Sequence, residues 1–163
     1  VRGGKVAAFQ VLVAHGAPVD NLEDIKRGTP IIHAVHTGQL ASIESLLSAG
    51  ADARAQDSHA LFLAAGYGDV EATLRLRDAG ADPAAVSSEG SNALAAAVGG
   101  AWDIDASWRG CEPHTKIVAA LLTRCPALQL PHNELVDDAR RFAERKGWRQ
   151  MLGLLDTRQA AAT

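Results

Sequence analysis

The residues in this sequence whose types and spacing could do chemistry are few. His33 and His36 stand three apart, which on a helix puts two imidazoles on one face, half of a transition-metal site. No third ligand accompanies them, and His33 falls at a place expected to be buried among apolar neighbours. Asp103 and Asp105 offer two carboxylates, but the residues around them lack the regular oxygen-ligand spacing of a calcium loop. Cys111 and His114 are a nucleophile and a base by type, yet such pairs are set by the fold and not by nearness in sequence. Phosphate-loop, nucleophile-elbow and zinc-helix patterns are absent, and Gly99-Gly100 is too short to cradle a phosphate. The expectation is a non-enzyme with no catalytic residue, no metal and no cofactor.

Charge and hydropathy narrow the partners. Sixteen basic residues stand against 19 acidic ones, a formal net charge of −3, so no overall basic field draws nucleic acid or an anionic membrane. The cluster Arg140, Arg141, Arg145, Lys146 and Arg149 is interleaved with acids and reads as a solvated capping face in preference to a nucleic-acid patch. No apolar run reaches the roughly 18–20 residues of a membrane span. Residues 6–14 are too short for one and lack a secretory cleavage pattern. Cys111 and Cys125, in a chain with no secretion signal, read as two unrelated thiols in preference to a disulfide. A cytoplasmic monomer is expected, with no nucleic-acid or membrane partner. The alanine- and arginine-rich, lysine-poor composition suits a bacterial source.

The elements that must position these residues repeat along the chain. Four segments align without gaps: 5–16 (KVAAFQVLVAHG), 39–50 (QLASIESLLSAG), 69–80 (DVEATLRLRDAG) and 114–125 (HTKIVAALLTRC). One apolar column reads Phe9, Ile43, Thr73, Val118 and a second, three residues on, reads Leu12, Leu46, Leu76, Leu121, so both lie on one helix face. The first three segments end in Gly16-Ala17-Pro18, Gly50-Ala51-Asp52 and Gly80-Ala81-Asp82, helix stops followed by turns. A shorter helical stretch precedes each later segment. It starts at Thr29-Pro30, where Thr29 is the expected N-cap, at His59-Ala60, and at Asn92-Ala93. The helix pairs are separated at Gly4, Gly38, Gly68, Pro113 and Gly147, spacings of 34, 30, 45 and 34.

The stretch 28–52, GTPIIHAVHTGQLASIESLLSAGAD, resembles a near-complete ankyrin repeat, with its threonine-proline start, glycine-alanine-aspartate end and period of about 33. The resemblance weakens along the chain but covers nearly all of it. It implies an all-α solenoid of stacked helix–turn–helix units with β-turn fingers. The expected organisation is one domain: a partial repeat at 1–27, repeats at 28–57, 58–89 and 90–130, and a C-terminal cap at 131–158. Ile32 stands where the family carries a helix-capping histidine, so capping in the first full repeat is expected to differ. Residue 4 matches residue 38 in phase, so a preceding helix, and hence more chain upstream, is expected.

The resemblance also implies a protein partner, met at the turn tips and the exposed side of the first helix of each pair. Carried over by position, the tips 24–28, 56–58 and 88–91 supply Lys26, Gln56, Ser58, Glu89 and Ser91. The first helices supply His36, Thr37 and Tyr67. Tyr67 offers either a partner contact or packing against the next repeat. Residues 99–113 stand where the first full repeat needs three residues, and this insertion carries Trp102, Asp103, Asp105, Trp108 and Arg109. It reads either as a binding loop or as a cover for the thin alanine layer at 95–97. Two alternatives to a general interaction module remain open: an inhibitor or immunity protein that neutralises an enzyme or toxin, and an accessory domain of a larger enzyme or effector.

Overall fold

The computed structural model describes residues 29–87, 90–100, 112–125 and 134–156. Eight helices follow in order: α1 (Pro30–His36), α2 (Leu40–Ser48), α3 (Ala55–Gly66), α4 (Val70–Asp78), α5 (Ala93–Gly100), α6 (Glu112–Arg124), α7 (Glu134–Lys146) and α8 (Arg149–Asp156). The described residues contain no strand. Consecutive helices pair, and the pairs stack in two layers: α1, α3, α5 and α7 in one, α2, α4, α6 and α8 in the other.

The two apolar columns explain the stacking. Ile43, Thr73 and Val118 are buried, as are Leu46, Leu76 and Leu121, so each second helix turns the same stripe inward. Its partner layer is rich in small residues. Ala60, Ala64 and Ala65 of α3 and Ala93 and Ala97 of α5 are all buried, which lets these helices approach closely. Five of the described helices end in one device. At the end of α2, Gly50 takes φ +90, its N–H donates to Leu47 O, and the next N–H, of Ala51, donates to Leu46 O. A side chain would be strained in that left-handed conformation, which is why glycine ends the helix. The same pair of bonds closes α1, α3, α4 and α7. After α2 and α4 the Oδ1 atoms of Asp52 and Asp82 accept from the N–H of Arg54 and Ala84, at 2.8 and 2.9 Å, which starts a turn at the same place in each repeat.

Four expectations are corrected. His33 is exposed; Ile31, Ile32, Ala34 and Val35 fill the buried face of α1 instead, so the 3.6-residue period carries His33 outward. Thr29 occupies the N-cap position of α1, but its hydroxyl makes no capping bond. Gly99 and Gly100 lie in α5, and Glu112 and Pro113 lie in the first turn of α6. Pro113 is therefore a helix-start proline, not a separator, and residues 101–111 of the expected insertion lie outside the described residues.

The fourth concerns Ser58, expected at an exposed tip. Six residues lie between Asp52 and His59, where nine lie between Asp82 and Asn92. The shortened connection runs into the start of α3, where Gln56, Asp57 and Ser58 are successively left-handed, with φ of 52, 54 and 59, so that the regular right-handed helix begins only after Ser58. This folds Ser58 inward. It is 3% exposed, and its hydroxyl accepts the Asp82 N–H at 2.9 Å.

Candidate functional site

His36 is the last residue of α1, and Tyr67 is the C-cap of α3, the position that Thr37 holds for α1. Because α1 and α3 stack side by side, the tyrosine reaches back to the preceding helix pair. Its Oη lies 2.7 Å from His36 Nδ1, with ring centroids 5.7 Å apart and planes inclined at 54°. Both side chains are exposed. The hydroxyl donates when Nδ1 is unprotonated and accepts when it is protonated, so the bond survives either tautomer. The result is a fixed two-ring platform spanning two units, with an apolar face and polar edges that stay accessible. Tyr67 and Val86 are the large hydrophobic residues exposed among the described residues. Val86, in the connection before α5, was not singled out from sequence, because nothing in its neighbours marks it as exposed.

The other expected site residues are distributed unevenly. Thr37 is exposed, but its hydroxyl donates to His33 O at 3.0 Å and lies 3.2 Å from Ala34 O, so it finishes α1. Gln56 is exposed and left-handed. Ser58, buried, has its hydroxyl engaged within the scaffold. Ser91 is half-buried; its N–H reaches Ser87 Oγ at 3.3 Å and its carbonyl accepts from Ser87 at 2.7 Å, closing the tip of that connection. Lys26, Glu89, Trp102, Asp103, Asp105, Trp108 and Arg109 lie outside the described residues.

His114 and Arg140 have structural roles. His114 is buried in α6, and its Nε2 lies 3.2 Å from Gly66 O at the end of α3. A carbonyl only accepts, so Nε2 carries the proton and Nδ1 is the bare nitrogen, buried without a hydrogen-bond partner. Burial pushes its pKa below the ordinary histidine value, and the Gly66 bond opposes this. Cys111 lies outside the described residues; Cys125 is buried as a free thiol. Arg140, read as part of a basic face, ties α7 to α8. Its guanidinium lies 2.9 Å from an Asp156 carboxylate oxygen, 3.5 Å from Asp137, and 3.3 Å from Leu155 O.

No group of three or more His, Cys, Asp or Glu side chains that could hold a metal ion occurs among the described residues. No helix there is long and apolar enough to cross a membrane.

No family model matches the chain, and no curated relative matches it. Among solved structures it is similar to an ankyrin repeat domain from Acinetobacter baumannii AYE. That crystal structure is 26% identical, aligns at a TM-score of 0.77, and the match covers 97% of this chain and 78% of that one.

Proposed function

We propose that this chain, which is an ankyrin-repeat protein, captures another protein on the side formed by the ends of its first helices and the adjoining turns. The ankyrin fold is generally a protein–protein interaction module. The observation that carries the reading here is the His36–Tyr67 platform. An exposed aromatic on a soluble scaffold, held rigid by a 2.7 Å bond to the neighbouring unit, is already ordered before a partner arrives, so less conformational entropy is lost on docking. Val86 adds a second exposed apolar side chain. The scaffold needs neither exposed surface for its core, which is filled by the inward stripes of the helices. In this reading the protein binds and does not catalyse.

The test is affinity capture with the wild-type chain and the Tyr67→Ala variant immobilised side by side, followed by titration of the captured protein. Binding by the wild type that weakens tenfold or more in the variant, at unchanged helicity, is the expected result. Equal binding by both would remove the platform from the interface.

A further inference from the structure

Tyr67 is flanked by two glycines, and both rest on one buried histidine. The Nε2 of His114, on α6, lies 3.2 Å from Gly66 O. The same ring packs against Gly68, where a Cβ would stand 2.7 Å from Cε1 and 3.3 Å from Nδ1. The backbone that carries Tyr67 is therefore held from inside by the helix pair α5–α6, while its side chain reaches outward to His36 of the pair α1–α2. Three helix pairs meet through one tyrosine.

The two histidines respond differently to a proton. At His36 the exposed Tyr67 hydroxyl reverses its role, and the bond survives. His114 has no such freedom. Its Nε2 already donates to Gly66 O, and its Nδ1 is buried with no acceptor to receive a second proton. A buried, unpaired imidazolium is costly, and the cost is relieved by moving the ring towards water, away from Gly66 and Gly68. Nothing charged offsets it. On α3 the ionisable side chains, Asp57 and His59, stand at the end remote from Gly66, and α5 carries none. At the start of α4, Asp69 is turned to the Ala72 N–H and Glu71 is exposed; on α6 itself Glu112 and Lys116 are exposed. On α8, which also packs on α6, Arg149 is exposed and Asp156 is held by Arg140.

We propose that His114 is a positioning residue for the Tyr67 platform and makes it acid-sensitive: protonation at Nδ1 withdraws the imidazole from Gly66 and Gly68 and frees Tyr67 from its register with His36, so the surface binds its partner near neutral pH and releases it in acid. The inference rests on the protein-binding reading and adds a regulation of the same site. It is distinct from a general loss of stability, because it requires Tyr67 to move while the helices remain folded.

Tyr67 is the single tyrosine of the sequence, so isotope labelling of the tyrosine ring gives one NMR reporter. Its signal is followed from about pH 8 to about pH 5, across the histidine range, in His36→Gln and in the double variant His36→Gln with His114→Gln. His36→Gln removes the titration of the group in direct contact, and the remaining histidines are common to both proteins. Circular dichroism at each pH confines the comparison to folded chains. The expected result is an acid-induced shift of the Tyr67 signal in His36→Gln that is lost when His114→Gln is added. Coincident curves overturn the proposal. A second measurement keeps His114 in place, and it decides alone if His114→Gln does not fold. Coupling between two groups is reciprocal, so Tyr67→Phe, which releases the anchor to His36, should let the His114 imidazole take up its proton at a higher pH than in the wild type, read from its ring nitrogen signals. An unmoved His114 titration also overturns the proposal. Both measurements use the chain alone. Their failure leaves the protein-binding reading to the Tyr67→Ala capture experiment, and failure of that experiment leaves the coupling to these titrations.

Discussion

Tyr67 Oη and His36 Nδ1, thirty-one residues apart in sequence, meet at 2.7 Å on the exposed surface of the stack. The bond joins the ends of α1 and α3, so one contact serves both the alignment of two units and the rigidity of a binding surface. Exposure limits its worth to the fold, because water competes for both groups; a net contribution of about 0.5–1.5 kcal/mol is the general range for a hydrogen bond. Tyr67→Phe keeps the ring and removes the bond. It is expected to lower stability by no more than about 1 kcal/mol in urea unfolding, while partner affinity falls less than in Tyr67→Ala. A double-mutant cycle with His36→Ala should return a coupling distinct from zero. Strict additivity of the two changes would mean the rings do not act together.

Gly68 is held to glycine by two constraints and Gly38 by one. Both have positive φ, +70 and +63, where an alanine is disfavoured by about 1–2 kcal/mol. At Gly38 a Cβ meets nothing within 4 Å, whereas at Gly68 it lies 2.7 Å from His114 Cε1 and 3.0 Å from Nε2. Gly68→Ala is therefore expected to destabilise more than Gly38→Ala, the excess being the displacement of the imidazole and of its bond to Gly66 O. Adding His114→Ala should remove that excess. Equal unfolding midpoints for the two single variants would show that the histidine moves aside freely.

The helices were legible in the sequence, and the contacts between units were not. The columns through Ile43 and Leu46 and through Thr73 and Leu76 declared both the second helices and their buried face, because the period of an α-helix depends only on neighbours along the chain. His36 and Tyr67 were singled out separately, but their pairing depends on which helix stacks on which. The sequence leaves the position of His33 open, because α1 is apolar on either side of it and the register of so short a helix is undetermined. The left-handed run at Gln56, Asp57 and Ser58 had no glycine or asparagine to announce it. It follows from a connection three residues shorter than its successor, and with it went the burial of Ser58. The nearer of the two acidic partners of Arg140, Asp156 at 2.9 Å, lies on a different helix, so the sequence does not reveal the contact that ties α7 to α8.

Acid should loosen the stack through His114. Its pKa is pushed below the ordinary 6.5 by burial, with the Gly66 bond acting in the opposite direction. Well above pH 6.5 the histidine is neutral in both folded and unfolded chains, and its full contribution to stability is present. As pH falls below that value the unfolded chain takes up a proton that the folded chain does not, so stability declines until the folded His114 also protonates. His114→Gln keeps an amide donor for Gly66 O but does not titrate. Urea midpoints for the two proteins measured from about pH 7 to about pH 5, across the histidine range, should diverge, with the wild type falling more steeply. Parallel curves would place the acid sensitivity elsewhere.

Two helix starts that look alike in sequence should respond in opposite ways to loss of their caps. Asp69 precedes α4 and its Oδ1 accepts the Ala72 N–H at 3.0 Å, satisfying a donor that the helix itself cannot pair. Thr29 precedes α1, but it makes no such bond: its hydroxyl is buried with no hydrogen-bond partner. Its backbone is extended, with φ −71 and ψ 161, a conformation that valine adopts readily. Ile32, standing where the ankyrin pattern has a histidine, offers the Thr29 hydroxyl no polar atom. Asp69→Ala is accordingly expected to cost about 1 kcal/mol. Thr29→Val exchanges an unpaired buried hydroxyl for a methyl of the same shape. It should leave stability unchanged or raise it by up to about 1 kcal/mol, since an unsatisfied buried polar group is itself a penalty. A loss on Thr29→Val as large as that on Asp69→Ala, read from the same urea titrations, would show that the hydroxyl has a partner after all and that α1 is capped as the family pattern prescribes.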